Sequence, residues 1–475
     1  MPKLNRRQVL RSMIYGGSLA AFGGLATMGD LTKAHAENDP DNALPERYYV
    51  FCYFSGAWDI LLSLDPRDPA VFHNGNLATT RIQPGYDLLG YLNDPRIVPR
   101  INGGSEMMDM YDNPVHFGPF IGNMVNNPEL ASRLVVVRGM SMDTLTHQVG
   151  RRRFLTGKPP SGLSARGSST DTWLASRLGG AEPLPNLAIR TESYNKGLST
   201  SASALQAGSS DDLLRVLSPG TVQLDNLQEA QLDKLLQQHA LCEQTRISDM
   251  LSDAEEARRK SRSMLSNELD RHFDFQARTD EMAALRDRFS IQSNSSGNSP
   301  EVQAAIAGVA LTRGVSRCVS IEAARGLDTH FDNWIDTQGP TQMRGFNAVA
   351  NLAEYLLETP YVNKQGQEDG NWLDRTLIVG FSEFSRTPLI NANSGRDHWL
   401  GNSCFLMGGG VKGGRVIGKS SDFGMYPQGV NLLTGELDPG GETIRPEHII
   451  RAIYDQVGIG DEPDLRVNGL SAIFS

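Results

Sequence analysis

Six residues of this chain are of the kinds that hold divalent ions, and each lies in a turn beside an apolar run: Asp59, Asp328, His330, Glu383, Asp397 and His398. Carboxylate oxygens mixed with imidazole nitrogens suit zinc, manganese, magnesium or calcium. Singly, each has a plainer explanation, because an Asp after a strand commonly caps a helix. Together they read as a metal site. Beside them, Thr146 and His147 open a helical stretch that carries Arg151, Arg152 and Arg153. A helix N-terminus presents free N–H groups and a positive dipole end to an anion, and His147 and Arg151 fall on one helical face. Thr146, His147 and Arg151 are therefore the candidate catalytic group, a cradle for a phosphate or sulfate. The plainer alternative is a capping Thr146 ahead of a solvated basic face.

The elements that must position these residues are short apolar, β-branched runs: 47–54, 133–138, 186–190, 317–323, 375–381 and 403–407. Continuous apolar strands alternating with helical stretches predict an α/β fold, a mostly parallel sheet with helices on both faces. Such a sheet delivers its chemistry in the turns at the carboxyl ends of its strands, which is where these groups fall. Between about 222 and 300 the texture changes to a charged helical pattern ending in Ser293-Asn294-Ser295-Ser296-Gly297. It predicts a helical insertion within a domain spanning 37–475, with His239 as a packed helix residue. Gly408 to Gly414 lacks the spacing of a phosphate loop and reads as tight turns. Cys52, Cys242, Cys318 and Cys404 are too few for a disulfide scaffold and read as buried thiols.

At the N-terminus, Lys3, Arg6, Arg7 and Arg11 precede the uncharged stretch Ser12 to Gly29 and then Ala34-His35-Ala36. That order describes a cleavable signal peptide over residues 1–36, and Asn5-Arg6-Arg7-Gln8-Val9-Leu10 resembles the twin-arginine signature. The glycines in the apolar stretch dilute it below what a stable membrane span needs. The chain is expected to use the twin-arginine translocase and to work in the periplasm or outside the cell, without a stable span after cleavage. Removing residues 1–36 takes five basic and one acidic side chain and leaves a net charge of −14. Such a balance disfavours nucleic acid as a partner, and an anionic ester substrate needs local cations to overcome the field.

Ser382-Glu383-Phe384-Ser385-Arg386-Thr387-Pro388, Gly395-Arg396-Asp397-His398-Trp399, Gly408 to Gly414 and Asp328-Thr329-His330, arranged behind such a signal, resemble the bacterial domain of unknown function 1501 family. That family is similar to the alkaline phosphatase and sulfatase superfamily, so the resemblance implies an alkaline-phosphatase-like fold. It also implies that Asp59, Asp328, His330, Glu383 and His398 stand at metal positions. Phe384 departs from it, standing where a paired His is expected. His147 departs as well, occupying the nucleophile's place ten residues before Gly157, with Thr146 one residue earlier. The resemblance leaves two classes: a metal-dependent hydrolase of phosphate or sulfate esters, and a non-catalytic, metal-stabilised binding or cell-envelope assembly protein.

Overall fold

The structure, a computed structural model, describes residues 46–89, 107–218, 227–228, 230–235, 269–363 and 365–475. Residues 1–36, Cys242, His239 and much of 222–300 lie outside them.

Eight strands form the central sheet. They are β1 (Tyr48–Ser55), β2 (Leu134–Ser141), β3 (Asn186–Ile189), β4 (Leu205–Ala207), β5 (Cys318–Arg325), β6 (Thr376–Phe381), β7 (Gly401–Gly408) and β8 (Arg415–Ile417). Their spatial order is β8-β2-β7-β6-β1-β5-β3-β4. All pairings are parallel except those of β7, which runs antiparallel to both β2 and β6. The fold is thus α/β with a mostly parallel sheet, and each expected apolar run is one of its strands. The edge strands β4 and β8 are too short to stand out in the sequence.

Period-two alternation divides the strand side chains between two cores. Val50, Cys52, Phe54, Val319 and Ile321 pack on one face. Tyr49, Phe51, Tyr53, Val135, Val379 and Leu406 pack on the other. The second core is closed by α1 (His147–Thr156) and α2 (Thr170–Leu178). A further amphipathic helix, α3 (Ser210–Leu217), and α4 (Asp280–Arg288) feed Leu213, Leu217, Met282 and Leu285 into the first core, which α5 (Pro300–Thr312) and α6 (Asn333–Glu358) complete. The last helix, α7 (Pro446–Asp455), covers the second core beside α1. In the described part of the expected insertion, Leu269, Phe273 and Phe289 are buried in the first core, so this end of the segment belongs to the domain's interior. Cys52, Cys318 and Cys404 are buried free thiols. Gly408, Gly410 and Gly414 have positive φ in the turns between β7 and β8, a conformation glycine adopts without a Cβ penalty. Among the described residues, no helix is long and apolar enough to cross a membrane.

Candidate metal centre

Parallel strands β1, β5 and β6 end at one edge of the sheet, and the turns that follow carry Gly56-Ala57, Asp328 to His330, and Ser382 to Arg386. Because β7 runs the other way, its beginning lies at that same edge, with Gly401 opposite Ser141 at the end of β2. His398, just ahead of β7, therefore meets His147, which opens α1 after β2. The turns close tightly. Gly56 has φ +108°, and a Cβ there would come within 2.7 Å of the backbone nitrogens of Leu327 and Asp328. Gly150 of α1 lies against the backbone of Glu383, whose carbonyl oxygen an added Cβ would meet at 2.2 Å.

At the centre is Asp328 Oδ1. It lies 3.4 Å from His147 Nε2, 3.0 Å from His330 Nε2 and 3.4 Å from His398 Nε2. Ligand atoms of His147, Asp328 and His398 all fall within 4.8 Å of one another, and this is the one such group among the described residues. Each imidazole is held from behind. His147 Nδ1 is 2.6 Å from Glu383 Oε1, His330 Nδ1 is 3.0 Å from Asp397 Oδ1, and His398 Nδ1 is 2.8 Å from the Leu145 carbonyl. Carboxylate and carbonyl oxygens only accept, so every Nδ1 carries a proton and donates it, and every Nε2 faces Asp328. His330 Nε2 and His398 Nε2 stand 3.0 Å apart, and the Arg386 guanidinium lies beside them, its Nη1 3.3 Å from His330 Nε2.

Asp397 and Glu383 thus serve as hydrogen-bond acceptors behind the ligand atoms. Glu383 is buried and also receives Gly56 N–H at 3.0 Å and Ser382 Oγ–H at 2.9 Å. Burial works to raise its carboxyl, but the hydrogen bond from His147 leaves it below the usual carboxylate range. Burial also works to raise Asp328, yet the Arg386 guanidinium, 2.6 Å from Oδ1, holds it down to about 2. His398 is lowered, chiefly by burial, which favours its neutral form.

Arg386 is the participant that single-residue reasoning passed over, although it sits inside the Ser382 to Pro388 motif. Its guanidinium is fully buried and donates to the carbonyls of Ala57, Leu327 and Arg396 at 2.9 to 3.2 Å. Phe384, also buried, packs its ring 4.8 Å from that of His147 and 4.6 Å from that of His398. Phe384 thus gives these two imidazoles an apolar floor.

Three expected participants are placed otherwise. Asp59 is fully buried away from the ligand group, pairing with Arg396 Nε at 2.9 Å and accepting from Trp334 Nε1 at 2.9 Å and Leu61 N–H at 3.1 Å. Its carboxylate is committed to a buried ion pair. Arg151 is clamped by Glu192, at 2.6 and 3.2 Å, and Arg152 shares the same carboxylate. Arg153 forks onto Glu447 across to α7. The arginines of α1 are thus all engaged by carboxylates, Arg151 and Arg152 sharing one between them. Thr146 is an exposed N-cap residue whose side chain makes no capping bond.

With this geometry in hand, residues 119–432 match the family model described as a protein of unknown function (DUF1501). That span contains every member of the cluster, from His147 to His398. No curated protein matches the chain. Two solved structures align over most of it. One is Ps i-CgsB in complex with k-i-k-neocarrahexaose, at 9% identity and a TM-score of 0.30, covering 89% of this chain and 74% of that one. The other comes from the metabolism of multiple glycosaminoglycans by Bacteroides thetaiotaomicron, at 8% identity and a TM-score of 0.32, covering 90% and 77%. Likenesses this low carry no argument about activity.

Proposed function

We propose a function for this chain, which belongs to the DUF1501 family, from its own residues: it is an exported, metal-dependent hydrolase of phosphate or sulfate esters. The observation that carries the reading is the convergence of three imidazole Nε2 atoms on Asp328 Oδ1, each imidazole anchored through Nδ1. Carboxylate or carbonyl acceptors behind ligating histidines are the usual support of a metal site. A tetrahedral site with ligand bonds of about 2.0–2.2 Å has ligand-to-ligand edges of about 3.3–3.6 Å, and two of the donor separations here are 3.4 Å. His147 Nε2 is buried without a hydrogen-bond partner, a cost that a bound cation removes. An imidazole-rich set favours zinc or another transition ion over magnesium or calcium.

A divalent ion held by His147, Asp328 and His398, with His330 beside them, supplies Lewis acidity toward an ester oxygen and lowers the pKa of an attacking water. The protein's own contribution is orientation. Glu383 fixes the tautomer of His147, Asp397 that of His330, and Arg386 keeps Asp328 ionised. Phe384 restricts water on one side of the imidazoles.

A second reading, a metal-stabilised binding or cell-envelope assembly protein, is favoured by one observation: the resemblance's nucleophile position is held by His147, which has no hydroxyl or thiol and turns its Nε2 to Asp328 at 3.4 Å. Metal analysis of gently purified protein should find stoichiometric metal that Asp328→Ala loses, and a chelator should lower the melting temperature because the ion binds the folded state. Aryl phosphates, phosphodiesters and sulfates should be tested with zinc, manganese and calcium. His147→Ala should cost about 10²- to 10⁴-fold if His147 serves as an acid or base, while Thr146→Ala retains activity. Metal without turnover above the Asp328→Ala control moves the binding reading ahead; absence of metal sinks both.

A further inference from the structure

Beyond the end of β5, a cleft of about 400 Å³ opens where Ala324 and Arg325 leave the sheet. Its walls carry three arginines from three different elements: Arg190 after β3, Arg325 at the end of β5, and Arg344 on α6. In a mature chain of net charge −14 such a concentration is unusual and must be held in place. Two of the three are. Arg190 pairs with the buried Glu322 at 2.8 Å, and Arg344 forks onto Glu301 at 2.7 and 2.9 Å. Arg325 is exposed and makes no ion pair among the described residues, so its charge stands uncompensated at the mouth.

The rest of the lining supplies hydrogen bonds. Ser299 caps α5 by accepting from Val302 N–H, which points the N-terminal end of a 13-residue helix at the cleft. The positive end of the helix dipole and the arginines act in the same sense. Buried Gln303 is tied at both ends, donating to the Asn298 carbonyl at 2.8 Å and accepting from Glu322 N–H at 2.9 Å. The wall is thus fixed before any ligand arrives. Two residues, Gly326 and Leu327, separate Arg325 from Asp328, so their Cα atoms lie at most about 11 Å apart.

We propose that this cleft binds a second anionic group of the molecule whose ester lies at the Asp328 cluster, making the substrate an ester that carries a further sulfate, phosphate or carboxylate. The identification of that substrate rests on the hydrolase reading above; the binding of an anion in the cleft does not. Arg325 is the specificity-determining residue, offering a charge-assisted donor fork to the anion.

The test is calorimetric titration of the full mature chain, stripped of metal by chelation and dialysis, with inorganic sulfate, inorganic phosphate and acetate at constant ionic strength. Wild type should bind at least one of them saturably, and Arg325→Ala should weaken that binding about tenfold or more, the worth of a charged hydrogen bond. Arg325→Lys should restore part of it, and Arg466→Ala, an exposed arginine paired with Asp464, should leave it unchanged. The stronger of the tetrahedral and carboxylate arms names the anion. Equal affinity in wild type and Arg325→Ala, or no saturable binding by any of the three anions, overturns the proposal. Arg325-dependent binding, with no stoichiometric metal found in the protein before stripping, keeps the cleft and sinks the hydrolase. Metal and turnover without Arg325-dependent binding does the reverse.

Discussion

Glu383 and Asp59 are both buried carboxylates at the edge of the sheet, and substitution should separate their roles. Glu383 meets His147 directly, so Glu383→Gln should weaken metal affinity or activity about 10- to 100-fold, the usual cost of losing such a partner, while the fold persists. Asp59→Ala should leave metal content intact but destabilise the protein by about 3–5 kcal/mol, because Arg396 becomes a buried charge without its counter-ion. Chemical denaturation read beside metal analysis checks both, and loss of metal in Asp59→Ala would return that residue to the ligand set. Asp328, His330 and His398 were legible because several carboxylates and imidazoles fall together in turns beside apolar runs, although each alone is commonplace. What the sequence hides is which oxygen each nitrogen faces. Glu192 is 41 residues from Arg151, Glu447 is 294 from Arg153, and Asp328 is 58 from Arg386. No local pattern encodes such pairings.

Elements were easier to read than pairings. Strands buried on both faces leave unbroken apolar runs, and all six long ones were visible, whereas the three-residue edges β4 and β8 bury too little to leave a signal. The start of α1 at His147 was also legible, but its arginines were not, since a basic turn looks the same whether solvated or ion-paired. The contact between α1 and the turn after β6 depends on Gly150. Gly150→Ala forces a Cβ onto the Glu383 carbonyl at 2.2 Å, which backbone cannot escape cheaply. Destabilisation of about 1–3 kcal/mol is expected from this overpacking, together with weaker metal binding as Glu383 shifts relative to His147. A stable variant with unchanged metal affinity would show that this contact does not position the site.

For the whole molecule, acid stability and export follow from groups outside the site. His448 on α7 is fully buried with neither ring nitrogen hydrogen-bonded, its Nε2 3.5 Å from Glu442, and burial, outweighing the nearby Glu442 and Glu447, lowers its pKa below the ordinary 6.5. Between the lowered value and 6.5 the unfolded chain binds more protons than the folded one. Stability should therefore be flat above pH 6.5 on this account and fall as pH drops below it, by up to about 1.4 kcal/mol per unit. Denaturation of chelated protein at several pH values measures the slope, and His448→Phe should flatten it. Replacing Arg6 and Arg7 by Lys should strand the precursor in the cytoplasm, while the wild type appears outside with Glu37 at its N-terminus; export indifferent to that change refutes the twin-arginine reading. The reversed strand β7 has a consequence of its own in time. It comes late in the chain yet lies inside the sheet, between β2 and β6, so β8-β2 and the five strands from β6 to β4 are two unconnected pieces until residues 401–408 slot between them. Such non-local pairing is slow to form. In refolding, recovery of the divalent-ion binding proposed above should lag behind the first collapse and coincide with full protection of the β7 amides from hydrogen exchange, because His398 reaches His147 only when that gap is filled.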